Sequence, residues 1–244
     1  MDASYAQAYR TLYQQHWWWR AREHFVLEVL RELAPPGGFG RILDVGCGDG
    51  LFFPALSRFG EVHGIEPDAS LVTDQGRKHG VLHVQPFDAD FKPGHRFGLI
   101  TMLDVLEHLP DPVAALRHVG SLLDDAGKVL ITVPAFPSLW TAHDVLNHHH
   151  RRYTRASLTE EAGLAGITLT ECRYFFNWMY VLKRAVHWKE MLFSATPSLP
   201  TIPPPPANHL LFALARLEQP FSSRLPLPFG SSLLAVGTRS ARAR

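Results

Sequence analysis

Between residues 4 and 34 apolar side chains recur at helical spacing, with Phe25, Leu27, Val29, Leu30 and Leu33 on one stripe, and Pro35-Pro36-Gly37-Gly38 closes the run. Proline cannot extend a helix and glycine lets the chain turn away, so a helical lead-in ending near residue 34 is predicted. From residue 41 the rhythm changes. Short apolar runs, RILDVG (41–46), EVHGIE (61–66), VLHVQ (81–85), FGLITML (97–103) and KVLITVP (128–134), alternate with stretches of helical character. That alternation predicts a parallel sheet with helical crossovers. A helix over 157–164, a sixth strand at ITLTECRYF (167–175) and a seventh at SSLLAVGTR (231–239) complete the pattern.

Between the last two strands, about fifty residues do not follow the sheet rhythm and read as an insertion. Apolar stretches at 175–193 and 209–221 flank a proline segment at 197–206, which predicts helices on either side of an extended linker. The expected organisation is a helical lid at 1–38, a sheet domain at 39–175 and 229–240, and an inserted cap at 176–228, with a frayed basic tail after Arg239. With 244 residues, 46% apolar and 19% charged, the chain can bury a substantial core. A net charge of +1 gives no broad positive field, which argues against a nucleic-acid partner. Two cysteines, Cys47 and Cys172, make no disulfide framework, and the first residues lack the basic and apolar regions of an export signal. A cytoplasmic location without a transmembrane segment is therefore expected.

Candidate chemistry begins where the first strand runs into Gly46, Gly48 and Gly50. Glycines there let backbone approach a ligand at the carboxyl edge of the sheet; a plain strand-to-helix turn, with the helix starting near Leu51, is the bland reading. Asp44 adds a carboxylate for a positively charged amino group. Leu51 stands where a dinucleotide fingerprint needs its third glycine, so a nicotinamide cofactor is disfavoured. Glu66, at the end of the second strand and before Pro67, suits the two hydroxyls of a ribose. Asp88 is the candidate acceptor for an adenine amino group, with Asp90 as its alternative. Asp104, Glu107 and His108 follow the fourth strand at a spacing that gathers them on one turn, towards a reaction centre.

The segments ILDVGCGDG, GIEPD, FDADF, LDVLEHLPDP and DDAGKVLITVP, in this order over residues 41–134, resemble the successive motifs of class I S-adenosylmethionine (SAM) dependent methyltransferases. They are similar to the branch that includes ubiquinone and menaquinone biosynthesis methyltransferases and related bacterial proteins. The resemblance implies a Rossmann-like α/β fold, with a seven-stranded, mostly parallel sheet and an antiparallel last strand. It also implies SAM as cofactor. Asp44 and the loop Gly46-Cys47-Gly48 with Gly50 would hold the methionine part, Glu66 and Pro67 the ribose, Asp88 the adenine, and Leu103 would lie beside the sulfonium. QPFDAD departs from the family pattern by lacking its Gly-Asp pair.

The run AFPSLWTAHDVLNHHHRRYTRASL (135–158) follows the fifth strand and so belongs to the same sheet edge. It resembles a subset of bacterial methyltransferases with a His-Asp pair ahead of a basic run. His143 is the candidate general base, with His108 and Asp104 as further catalytic candidates; a histidine satisfied by Asp144 is the alternative. Trp18, Trp140, His148, Arg152 and Tyr153 are candidate acceptor contacts. Arg151, Arg152 and Arg155 suit an acidic acceptor or a solvated face. Asp104, Glu107 and His108 with His143 or His148 have the chemistry of a divalent-ion site, but the same residues occur without metal, and no metal is the expectation. In HWWWRAR (16–22) the three tryptophans spread around a helix, so at least one is expected at the surface, as part of a lid or of the core. The insertion reads as a cap over a lipophilic acceptor, a peripheral membrane contact or a dimer contact. The expected activity is methyl transfer by in-line displacement to a small, lipophilic acceptor, most readily at oxygen. A non-catalytic SAM-binding module and a nicotinamide oxidoreductase are the rivals.

Overall fold

In β1 (Arg41–Val45) every residue after Arg41 is buried, as a central strand of a parallel sheet requires. The computed structural model describes residues 3–74, 76–192, 199–225 and 227–241. Strand β1 pairs in parallel with β2 (Glu61–Glu66) on one side and β4 (Phe97–Leu103) on the other, and β3 (Val81–Val84) adds to β2. With β5 (Leu123–Pro134), β6 (Ile167–Phe175) and β7 (Ser232–Arg239), the seven-stranded order is β3-β2-β1-β4-β5-β7-β6. The Ser240 amide donates to the Gly166 carbonyl and the Thr170 hydroxyl to the Val236 carbonyl. Numbers rise on β6 as they fall on β7, so these two strands are antiparallel.

The helices are α1 (Ala3–Gln15), α2 (Trp17–Leu33), α3 (Phe53–Leu56), α4 (Pro112–Leu122), α5 (Ala142–Leu146), α6 (Arg155–Leu164), α7 (Asn177–Leu192) and α8 (Pro205–Arg224). Four details differ from the sequence-based expectation. The lead-in is broken at His16, whose Nδ1 accepts the Trp18 amide at 3.1 Å. Helix α3 starts at Phe53, because residues 50–52 are spent on a turn and Pro54 is tolerated only in a first helical turn. Strand β5 begins at Leu123, and a register shift opposite Phe97 and Leu99 absorbs the extra residues. Of the proline segment, Pro197 and Ser198 lie outside the described residues, 199–204 have no regular structure, and Pro205 already opens α8. The end of the basic tail, 242–244, also lies outside the described residues.

The chain falls into two compact units. One contains Leu33–Val133, Thr154–Cys172 and Leu234–Arg244, and holds most of the sheet. The other gathers Met1–Glu32, Pro134–Tyr153 and Arg173–Leu233, so the lead-in, the run after β5 and the insertion share one core. Within that second unit Asn208 of α8 spans the break at His16: its amide donates to the Gln15 carbonyl and its oxygen accepts the Trp17 amide, at 2.8 and 2.9 Å. Trp17 and Trp19 are buried and Trp18 is half-buried, so none of the three tryptophans is fully exposed. Phe176 and Trp178 pack on Trp17, and Phe176 also meets Trp18.

Candidate functional site

In the sheet unit, the turn after β1 is fixed by its backbone. The amides of Gly46 and Cys47 both donate to the Ile65 carbonyl, at 2.8 and 3.2 Å, tying the loop to β2. Gly46 has φ +68°, and a Cβ there would stand 2.8 Å from a Val105 methyl. Gly48, at φ +53°, has nothing within 4 Å of where a Cβ would stand. The first glycine is thus required by the fold, and the second leaves bare backbone facing open space.

Glu66 ends β2 beside this loop and is only 7% exposed. One of its carboxylate oxygens accepts the Gly48 amide and the other the Asp68 amide, both at 3.0 Å. Each oxygen keeps a second lone pair for an incoming hydroxyl. Burial raises the Glu66 pKa above its ordinary 4.5, more than the two amides lower it. Asp44, also buried, accepts the Thr101 hydroxyl at 2.7 Å. Burial, then Asp44 and Glu66, push the Cys47 thiol well above its usual range, so it stays protonated. Pro67 is exposed. Asp49, which the sequence pattern did not single out, accepts both the amide and the hydroxyl of Thr73 at 2.8 Å and so clasps the loop from outside.

Asp88 and Asp90 are both exposed, and the Asp88 carboxylate caps the Asp90 amide at 2.9 Å. Leu103, half-buried, closes β4. Asp104 follows in the left-handed region at φ 57°, its amide on the Thr132 carbonyl at 2.8 Å and its carboxylate near the Thr132 hydroxyl at 3.3 Å. Glu107 and His108 lie in a single 3-10 turn, Leu106–His108. Glu107 is fully buried and His108 half-buried, with a Glu107 carboxylate oxygen and a His108 ring nitrogen within 4.8 Å of one another.

In the second unit the organising residue is Asp144. It is fully buried and accepts Arg152 Nε at 2.8 Å, Arg152 Nη2 at 2.9 Å, His149 Nδ1 at 2.8 Å and the Thr141 amide at 2.8 Å. Burial alone would raise its pKa, but His149 and Arg152 hold it far below the usual carboxylate range. Arg152 also donates to the Ala135 carbonyl at 3.0 Å, so its guanidinium is engaged inside the unit. Tyr153 is 1% exposed and is clamped by backbone bonds to Pro134 and Phe136. His143 is half-buried, and burial followed by Lys183 lowers its pKa to about 4. At neutral pH it is an uncharged imidazole. Trp140 is half-buried with its carbonyl on His187 Nδ1 at 2.7 Å, His148 is exposed at φ 55°, and Arg22 stands over the ring of Trp18. Trp140, His143, Arg152 and Tyr153 are thus held by this unit's own bonds.

The carboxylate-and-amide loop of the sheet unit has the donors and acceptors of an adenosyl amino acid site: bare backbone at Gly48, a buried acid for vicinal hydroxyls, and a second acid for an ammonium group. Residues 18–171 match a family described as a methyltransferase domain, which covers more than half of the chain. Among curated proteins, the chain is 36% identical over 115 residues to a ubiquinone biosynthesis O-methyltransferase of Xanthomonas campestris, covering 43% of this chain and 46% of that protein. It is 33% identical over 99 residues to the same-named protein of Coxiella burnetii, covering 37% and 42%. The matched region thus spans less than half the length of these relatives. Among solved structures, a TehB-like SAM-dependent methyltransferase of Corynebacterium glutamicum is similar with a TM-score of 0.58 at 19% identity, covering 97% of each chain, a likeness of fold. The chain belongs to the class I S-adenosylmethionine-dependent methyltransferases, a family whose cofactor is SAM.

Proposed function

We propose that this protein transfers the methyl group of SAM to an oxygen of a small, lipophilic acceptor. Glu66 carries the reading: a buried carboxylate, fixed by two backbone amides beside a left-handed glycine turn, and with lone pairs left over. In this assignment Glu66 and Pro67 hold the ribose, Asp44 and the loop of Gly46, Cys47, Gly48 and Gly50 the methionine part, Asp88 the adenine, and Leu103 flanks the sulfonium. Bound SAM supplies an activated methyl, so no covalent intermediate on the protein is needed. The protein's work is to bind, orient and exclude water.

His143 is proposed as the base that takes the acceptor's proton, with His108 and Asp104 near the reaction centre. Its imidazole is uncharged at working pH and so can accept a proton. With a pKa lowered to about 4 it is a weak base, one that takes the hydroxyl proton as methylation makes that proton strongly acidic. Trp18, Trp140 and His148 are proposed acceptor contacts, whereas Arg152 and Tyr153 act by positioning the 135–153 run. Residues 1–38 serve as a lid and 176–228 as a cap. The names of the Xanthomonas and Coxiella relatives support oxygen and a lipophilic acceptor.

Calorimetric titration with SAM and with its demethylated product tests the cofactor site, and labelled methyl transfer to lipid-soluble phenols tests the chemistry. Absence of affinity for both compounds overturns the whole reading. Affinity without transfer to any hydroxyl acceptor leaves a SAM-binding module. His143→Ala is expected to slow turnover by about 100-fold or more with SAM affinity unchanged, and an unaffected rate removes it as base.

A further inference from the structure

Helices α7 and α8 turn their apolar side chains outward. On α7, Val181, Leu182, Val186, Trp188 and Leu192 are exposed, Leu192 at 75%. On α8, Leu210, Leu214, Leu217 and Phe221 are spaced four, three and four residues apart, which places them on one stripe, and all are exposed. The same helix keeps Asn208 and Ala215 buried. A helix of a soluble domain ordinarily puts its widest apolar stripe inward, and an apolar face left to water marks an interaction surface.

Charge selects the occupant. Residues 176–228 carry Lys183, Arg184, Lys189, Arg216 and Arg224 against Glu190 and Glu218 only. Both acids are engaged within the unit: Glu190 accepts the Ala142 amide at 3.0 Å, and Glu218 accepts the Asn177 amide at the start of α7. Apolar exposure, a tryptophan and a cationic surplus are the composition of a helix that lies in the headgroup layer of an anionic bilayer. A second copy of the chain would set these cations against their own kind. Among the described residues no helix is long and apolar enough to cross a membrane, which fits lying on the surface.

We propose that α7 and α8 seat the protein on an anionic lipid surface. The docking deepens the lipophilic-acceptor reading, and it is separable from catalysis because it is measured without acceptor or SAM. The experiment is flotation of the full chain with vesicles of phosphatidylcholine alone or mixed with phosphatidylglycerol. Co-flotation is expected with the anionic vesicles only, released by about 0.5 M salt. The double variant Leu217→Glu with Phe221→Glu should abolish it, Lys189→Glu should weaken it roughly tenfold, and Trp188→Phe should remove the blue shift of emission on binding. All four positions are exposed, so the fold is retained, and unchanged SAM affinity in each variant checks it. Failure to bind either vesicle, binding that survives the double variant, or a sedimenting dimer that the double variant dissociates without any vesicle binding by the parent chain overturns the proposal. None of these outcomes bears on methyl transfer.

Discussion

Glu66 and Asp144 are both buried carboxylates, one in the sheet unit and one in the unit after β5, and their surroundings treat charge in opposite ways. Asp144 is surrounded by cationic and amide donors and its pKa is held far down. Glu66 accepts two amides and, among the described residues, no cation, and its pKa is raised chiefly by burial. The first arrangement is complete without a ligand. The second is electrostatically unfinished, and a carboxylate kept in that state at a strand end is what a binding site looks like before its hydroxyl donors arrive. Perturbation alone does not mark function; the direction of the shift, set against the hydrogen bonds already made, separates a structural acid from a receptive one.

Removing each acid should break the comparison most sharply. Asp144→Ala leaves the buried Arg152 guanidinium without its carboxylate, and breaking such a pair costs about 3–5 kcal/mol. For a chain of this size that lowers the melting temperature by roughly 10 °C, measured by calorimetry. SAM affinity, measured well below that temperature, should stay within about threefold. Glu66→Ala should do the reverse, reducing SAM affinity by about 100-fold, the loss of two charge-assisted hydrogen bonds, while the melting temperature of the unliganded protein falls by only about 5 °C or less, because the two freed amides are offset in part by relief of a buried charge. If Asp144→Ala abolishes SAM binding or Glu66→Ala unfolds the protein, the division into structural and receptive acids is wrong.

A smaller effect is expected at Asn208. Its side chain bonds the Gln15 carbonyl and the Trp17 amide at the break between α1 and α2. Asn208→Ala leaves these two backbone groups short of a partner and should cost about 1–2 kcal/mol, read as a shift of the urea midpoint with SAM affinity intact. An unshifted midpoint would mean that water replaces the amide without penalty.

Asn208 also illustrates what the sequence conceals. The strands, the glycine turn and Glu66 were legible because each is local: apolar runs of fixed length, glycines at set offsets, an acid at a strand end one repeat later. The Asn208 bonds join positions 191 and 193 residues apart and leave no periodic trace. Glu218 of α8, which accepts the Asn177 amide at the start of α7, is hidden for the same reason. Asp144 had a signal, since Thr141-x-x-Asp144 is a capping-box pattern and the structure forms that box. Read that way, the aspartate belongs to the helix start, and the arginine eight residues later becomes its partner rather than a solvated member of a basic run. The break at His16 carried no proline or glycine to announce it; the histidine supplies the turn by accepting the Trp18 amide, and burial keeps it neutral for that purpose, with a pKa of about 4.

The smallest predicted effect is a dependence on pH, and its sign separates the two acids. Asp144 has a lowered folded pKa, so it contributes stability above its unfolded value of 3.8 and loses that contribution as pH falls through the folded value. Glu66 has a raised folded pKa. Its ionised form weakens the fold above that raised value, and the penalty disappears as pH falls to the unfolded value of 4.5. Glu66→Gln removes the titration but sets an amide donor against one of the two backbone amides, so its stability at neutral pH should differ from the parent by less than about 1 kcal/mol. What should change is the slope. As pH falls from 7 towards 4.5 the parent should gain stability relative to Glu66→Gln, in unliganded samples melted across that range. Saturating SAM should favour the parent at every pH, because only the parent binds it tightly. A difference between the two proteins that stays constant with pH would show that Glu66 titrates alike in the folded and unfolded chain, and its carboxylate would then be no more receptive than Asp144.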